Sequence, residues 1–349
     1  MNDSERTIEF EFVRATENAA LNTLHWLGRG EKEKADAAAC DAIYGVFDLV
    51  DIRGEVVIGE GIKDNAPGIF LGDRLGTWKD GSPRFDIALD PVDGTSNLAN
   101  GLPNAISVMA ASEVRDSTAH VMKNIPTFYA EKLAYGPAVV KAIAAGMKPF
   151  DLDTPRKLIF QRVADALGKR VSELVVMTLN RPRHATLIQE ARETGVALRL
   201  ITDGDITAAV TPSLPDASVD LYMGIGGGPE GILAAAALKA LGGEIHLRMW
   251  PRDEEERESV LVGGAATKED LARTFLSNDL VNGESAIFCA TGISHSSLLP
   301  GVRLVGGKAI THSILMRAKS RTVRYIRAVH DFNTKTIHLR SDAADHGLL

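Results

Sequence analysis

Cysteine is almost missing: Cys40 and Cys289 are the only two in 349 residues. Thiols so far apart build neither a disulfide framework nor a Cys-x-x-Cys metal site, and they read as buried and reduced. Aromatic residues are scarce at 5%, which excludes the stacking platform that single-stranded nucleic acid needs. Positive charge is short as well. The 39 Lys and Arg against 46 Asp and Glu leave a net charge of -7, a poor match for a phosphate backbone. A small anion is still allowed, because a local cluster of cations can override the overall field. No apolar run approaches the ~18 residues of a membrane helix. The opening "MNDSERTIEF" is polar and acidic, unlike a signal peptide. These absences predict a cytoplasmic protein whose partners include neither nucleic acid nor membrane.

What is present is enough apolar residue, 45%, for one large or two medium globular domains. Residues 6–28 place Ile8, Phe12, Ala15, Ala19 and Leu24 at helical spacing, up to Gly28-Arg29-Gly30. Residues 32–50 read as a second helix. "EVVIGEG" reads as a strand ending near Glu60, and "RFDIALDP" as one stopped by Pro91. "AISVMAAS" and "TFYAEKLAYGP" follow as strands, making a sheet behind the two helices. After Pro149 strands and helices alternate, from "ELVVMTL" to "VDLYMGIGGGPEGILAAAALKALGG", in the βαβ rhythm of a layered α/β region. The expected domains are 1–148 and 149–349, with late strands in "SAIFCATG" and 306–330 returning to the second.

The chemistry gathers at "ALDPVDGTSN", residues 88–97. A strand delivers Asp90, Pro91 fixes φ, Gly94 permits a turn, and Thr95 is placed to cap a short helix. Two carboxylates across such a bend can converge on one point, as hard cations such as Mg²⁺ and Mn²⁺ require. An ordinary Asp-Pro or Asp-Gly turn also accounts for the stretch by itself. Other stretches point the same way. Glu60 lies between glycines at a strand end, with Asp64 in the loop after it, and Lys32 and Asp36 share a helix face. "GIGGGPEGI" runs a strand into glycines before Glu230, a place where exposed amides can hold phosphate. Arg181 and Arg183 in "NRPRHATL" suit phosphate capture, and Asp203 and Asp205 in "TDGDIT" suit sugar hydroxyls. His184 reads as a helix-start residue. Taken singly, each of these is also an ordinary solvated turn or ion pair.

"DPVDGTS" resembles the signature of the lithium-sensitive, metal-dependent phosphatases. With "WLGRG", "VIGEG", "YAEKL", "RPRH", "DGD", "GIGGGPEG" and "ATGI" in that order over residues 8–330, the chain resembles the bacterial class II fructose-1,6-bisphosphatases. The resemblance implies a layered α-β-α-β-α sandwich of the sugar phosphatase type and a homo-oligomer, dimer or tetramer. It implies Mn²⁺ or Mg²⁺ held by Asp36, Glu60, Asp90, Asp93 and Glu230. Thr95 stands where that family orients and deprotonates water, with Asp64 or Asp36 as the assisting acid. Lys32, Asp93, Gly94, Thr95, Tyr129, Arg181, Pro182, Arg183, Asp203, Gly204, Asp205 and Gly227 stand at its sugar-bisphosphate contacts. There are departures: position 93 is Asp where the family pattern often has Glu, Ile62-Lys63 stand where an acid is expected after Gly61, and "SNLANGLPN" and residues 247–282 also diverge. The implied activity is hydrolysis of the 1-phosphate of fructose-1,6-bisphosphate. The rivals are sedoheptulose-1,7-bisphosphate or an inositol phosphate as substrate, a non-catalytic sugar-phosphate sensor, and a dinucleotide oxidoreductase, which the poorly matched glycine fingerprint disfavours.

Overall fold

The computed structural model describes residues 3–59, 68–115 and 119–340. The fold is α/β, and the chain divides into two compact units, Met1–Met122 with Gly283–Leu349, and Lys123–Asn282. The expected boundary at 148 falls inside the second unit.

The first unit is built on an eight-stranded mixed sheet. Its central strands are Ile287–Gly292, Ile106–Glu113, Arg84–Asp93 and Arg53–Ile58, side by side in that order. Among the described residues only Arg53–Ile58 and Arg84–Asp93 run parallel in this sheet; the other pairings are antiparallel. The helices Ser4–Thr23 and Lys32–Phe47 pack on one another, with the rings of Phe12 and Phe47 edge to face at 5.3 Å. The apolar residues read at helical spacing, Ile8, Phe12, Ala15 and Ala19, are buried in this core. The first helix stops sooner than expected, giving way to a 3-10 turn at Leu24–Trp26.

The late strands join this first sheet and not the second. Lys308–Arg317 pairs with Ile287–Gly292, and Thr322–Asp331 pairs with Lys308–Arg317. The reason is in the first helix. Glu5 is fully buried and needs a cation, which Arg317 supplies through Nε at 2.7 Å. Thr291 donates to Thr16 at 2.8 Å. The two ends of the chain therefore share one core. On the last strand Tyr325 and Val329 are exposed.

The second unit holds a six-stranded sheet in the order Phe275–Leu276, Glu244–Trp250, Tyr129–Tyr135, Leu221–Gly227, Val175–Leu179, Ala197–Ile201. The strand in "TFYAEKLAYGP" thus belongs here, paired along its length with Leu221–Gly227 and Glu244–Trp250. Val175–Leu179 lies parallel to both its neighbours, with helix Ala185–Thr194 on the crossover between two of them, which is the predicted βαβ rhythm. Phe150, Ile159, Phe160, Val163 and Leu187 form part of this unit's own core. No helix among the described residues is long and apolar enough to cross a membrane.

Candidate active site

In a regular strand, residues three apart face opposite sides. Asp90 and Asp93 escape that rule. Asp90 lies opposite Val108 and Asp93 opposite Ile106, so three steps on one strand match two on its neighbour. The extra residue is a β-bulge, and it turns both carboxylates to the same face of the sheet. Pro91 sits inside the strand, within the irregular stretch, instead of stopping it. Its missing N–H costs no ladder bond there. The Val92 amide donates to Asp90 Oδ1 at 3.0 Å, and Asp93 is buried.

Gly94 is required twice over. Its φ is +86°, and a Cβ there would overlap the Asn104 carbonyl. Past this bend the helix Thr95–Ala99 begins, with Gly94 as its N-cap and Thr95 as its first residue. Thr95 is therefore not the capping side chain expected from sequence. Its hydroxyl turns back to Val92 O at 2.9 Å and reaches Asp36 Oδ1 at 3.4 Å. One turn earlier on the helix Lys32–Phe47, Lys32 Nζ donates to Ser96 Oγ at 2.8 Å. The shared face of Lys32 and Asp36 thus lies against the start of the short helix. Glu60 and Asp64 lie outside the described residues.

In the second unit, "GIGGGPEG" is less an amide cradle than a recess for carboxylates. The Gly228 N–H goes to Phe128 O at 2.9 Å, and those of Gly231 and Ile232 to Gly228 O and Pro229 O. A Cβ on Gly226 would overlap the Asp205 carboxylate, and one on Gly227 would overlap that of Glu230. Asp205 is buried, held by Lys132 Nζ on one oxygen and the Tyr222 hydroxyl on the other. Gly204, at φ +94°, turns the chain from Asp203 into the helix Asp205–Val210. Arg181, Pro182 and Arg183 are exposed on a 3-10 turn, with the Arg183 guanidinium 4.4 Å over the Tyr129 ring.

A family model described as bacterial fructose-1,6-bisphosphatase, glpX-encoded, matches residues 6–330. The chain belongs to that family. The class 2 fructose-1,6-bisphosphatase of Haemophilus influenzae is 40% identical over 334 residues, 93% of this chain and 96% of that protein. Fructose-1,6-bisphosphatase 1 class 2 of Escherichia coli K12 is 38% identical over 339 residues, 95% of this chain and 97% of that protein.

Membership of the bisphosphatase family raises the question of metal. Among the described residues no three Asp, Glu, His or Cys side chains group as a metal site on their own, and Glu60 is not among those residues. The donor chemistry nevertheless fits a hard cation. Every candidate ligand is a carboxylate. Glu230 Oε2 is shielded from solvent and has no hydrogen-bond partner among the described residues. Burial holds the Glu230 carboxyl above its ordinary pKa, opposed by the charge of Lys132. A bound cation would relieve that cost of desolvation.

Sequence reasoning missed Lys132 and Tyr222. The visible signal for Lys132 was a cation in the middle of the apolar strand "YAEKLAY", where only a buried partner makes it tolerable.

Proposed function

We propose that this chain is a metal-dependent phosphatase that removes the 1-phosphate of fructose-1,6-bisphosphate. The observation that supports the reading is the Asp90–Asp93 bulge, followed directly by Thr95, whose hydroxyl reaches Asp36. Family membership supports the substrate, since both relatives above carry that bisphosphatase name. Mg²⁺ or Mn²⁺, held by Asp36, Glu60, Asp90, Asp93 and Glu230, would supply Lewis acidity toward the phosphoryl oxygens and the attacking water.

The remaining work belongs to side chains. Thr95 shares one proton between Val92 O and Asp36, which leaves its oxygen free to orient a water. Asp36, or Asp64, takes the proton. Lys32 meets the anion near the start of the short helix. Arg181 and Arg183, on the exposed turn, hold the phosphate that is not cleaved. Tyr129 backs the Arg183 guanidinium, and Asp203 accepts from sugar hydroxyls. Net charge is negative, so these local cations recruit the substrate. A cytoplasmic dimer or tetramer, implied by the resemblance, is part of this reading, and sedimentation tests the assembly.

Incubation with fructose-1,6-bisphosphate and Mn²⁺ should leave fructose 6-phosphate and one equivalent of phosphate. Loss of the 6-phosphate instead, or no release, would overturn the assignment.

A further inference from the structure

The strand Leu221–Gly227 loses its neighbour halfway. Val175–Leu179 pairs with it only at Val176–Leu221 and Met177–Tyr222. Beyond Tyr222 the exposed backbone edge needs other partners, since a buried unpaired amide is costly. Two consecutive side chains supply them at Ile225. Arg183 Nε donates to Ile225 O at 3.0 Å, and the Ile225 N–H donates to His184 Nε2 at 2.7 Å. The other ring nitrogen, Nδ1, lies 2.7 Å from Leu179 O. A carbonyl only accepts, so Nδ1 carries the proton and the ring is the neutral tautomer. Burial also holds the His184 pKa below its ordinary value. His184 is 2% exposed, and it joins the end of one strand, the arginine turn and the glycine strand.

We infer that His184 is a positioning residue for Arg183, clamping the arginine turn onto Ile225 so that the guanidinium keeps one orientation over Tyr129. With Nε spent on Ile225 O, the outer nitrogens of Arg183 are presented together. Arg183, His184 and Ile225 also help to line an open cleft of about 710 Å³. His184 touches no substrate; its effect passes through Arg183. The inference rests on the proposed role of Arg183 in holding the uncleaved phosphate.

The test is a double-mutant cycle on KM and kcat for fructose-1,6-bisphosphate with Mn²⁺ supplied. Arg183→Ala alone tests the underlying reading: an unchanged KM would sink that reading, and the inference with it. If Arg183→Ala raises KM, His184→Ala should raise it too, by about three- to tenfold, the worth of one or two hydrogen bonds. Its kcat should stay within about twofold, the signature of lost binding common to ground and transition states. In the Arg183→Ala background, His184→Ala should add almost nothing. Additive losses, or a fall in kcat at constant KM, would overturn the positioning role and leave the Arg183 reading intact. His184→Gln and His184→Asn extend the cycle in case alanine fails to fold. Glutamine keeps an acceptor near Nε2 for Ile225, and asparagine keeps only the donor to Leu179. Glutamine should therefore lie nearer the parent in KM; asparagine matching or exceeding it would contradict the clamp at Ile225.

Discussion

At the residue scale, Thr95 bears the most specific chemical demand. Its hydroxyl lies between a main-chain carbonyl and Asp36, and the proposed mechanism uses it on the attacking water. Thr95→Ala should lower kcat by about a hundredfold or more while KM moves little, because general acid–base assistance acts in the transition state. Steady-state phosphate release measures both. A variant impaired in KM alone would make Thr95 a ligand of bound phosphate. Lys132 makes a different demand. It is 1% exposed and neutralises a buried carboxylate. Lys132→Met strands Asp205, which should cost about 3–5 kcal/mol in urea unfolding, and Lys132→Met with Asp205→Asn should regain much of it. A single variant within about 1 kcal/mol of the parent would mean that water already reaches the Asp205 carboxylate.

At the scale of elements, the strand Thr322–Asp331 ties to the first helix through His330. His330 Nε2 meets Thr311 Oγ1 at 2.8 Å, and that hydroxyl donates to Glu17 at 3.1 Å. The ring therefore donates from Nε2. Burial, with Lys335 nearby, pulls its pKa down from 6.5 to about 4. Unfolded chains take up a proton near pH 6.5 that the folded chain refuses until about pH 4. The stabilising contribution is thus full above that upper value and is lost as pH falls through the window. His330→Gln, which keeps a donor for Thr311, should be less sensitive to acid. The stability of the parent relative to this variant should shrink from pH 7.5 to pH 5, measured by urea unfolding. A constant difference would show that His330 titrates normally.

The elements themselves were largely legible in the sequence. Apolar spacing in residues 6–24, the β-branched run at 53–58 and the apolar run that ends in glycines at 221–227 are local signals, and helices and strands form there. The bulge was not legible, since Pro91 reads equally well as the end of a strand and as a residue inside an irregular one. The glycines of "GIGGGPEG" were read as room for phosphate, yet two of them leave room for Asp205 and Glu230. That distinction depends on a helix and a strand brought together from distant sequence. Lys132 was visible as a charge in an apolar strand, but its partner Asp205, 73 residues on, was not.

At the scale of the whole molecule, the chain's own course defeated the domain boundary. Tyr129–Tyr135 sits next to residues 221–227 and 244–250, and Ile287–Gly292 next to residues 106–111. Composition along the chain carries no trace of such pairings, whereas motif order did carry the family over residues 6–330. The central claim is that the bulged aspartates hold a catalytic cation. Its most direct test is Mn²⁺-dependent phosphate release from fructose-1,6-bisphosphate by chelator-stripped parent protein and by Asp93→Asn, with circular dichroism confirming equal folding. The amide keeps the shape of the side chain and loses the charge that binds a hard cation. Stripped parent should be inactive and recover fully as Mn²⁺ is restored, while Asp93→Asn should stay at least about a hundredfold slower even at saturating metal. Stripped parent that turns over without added metal, or an Asp93→Asn variant with the same kcat and metal dependence as the parent, would contradict the claim.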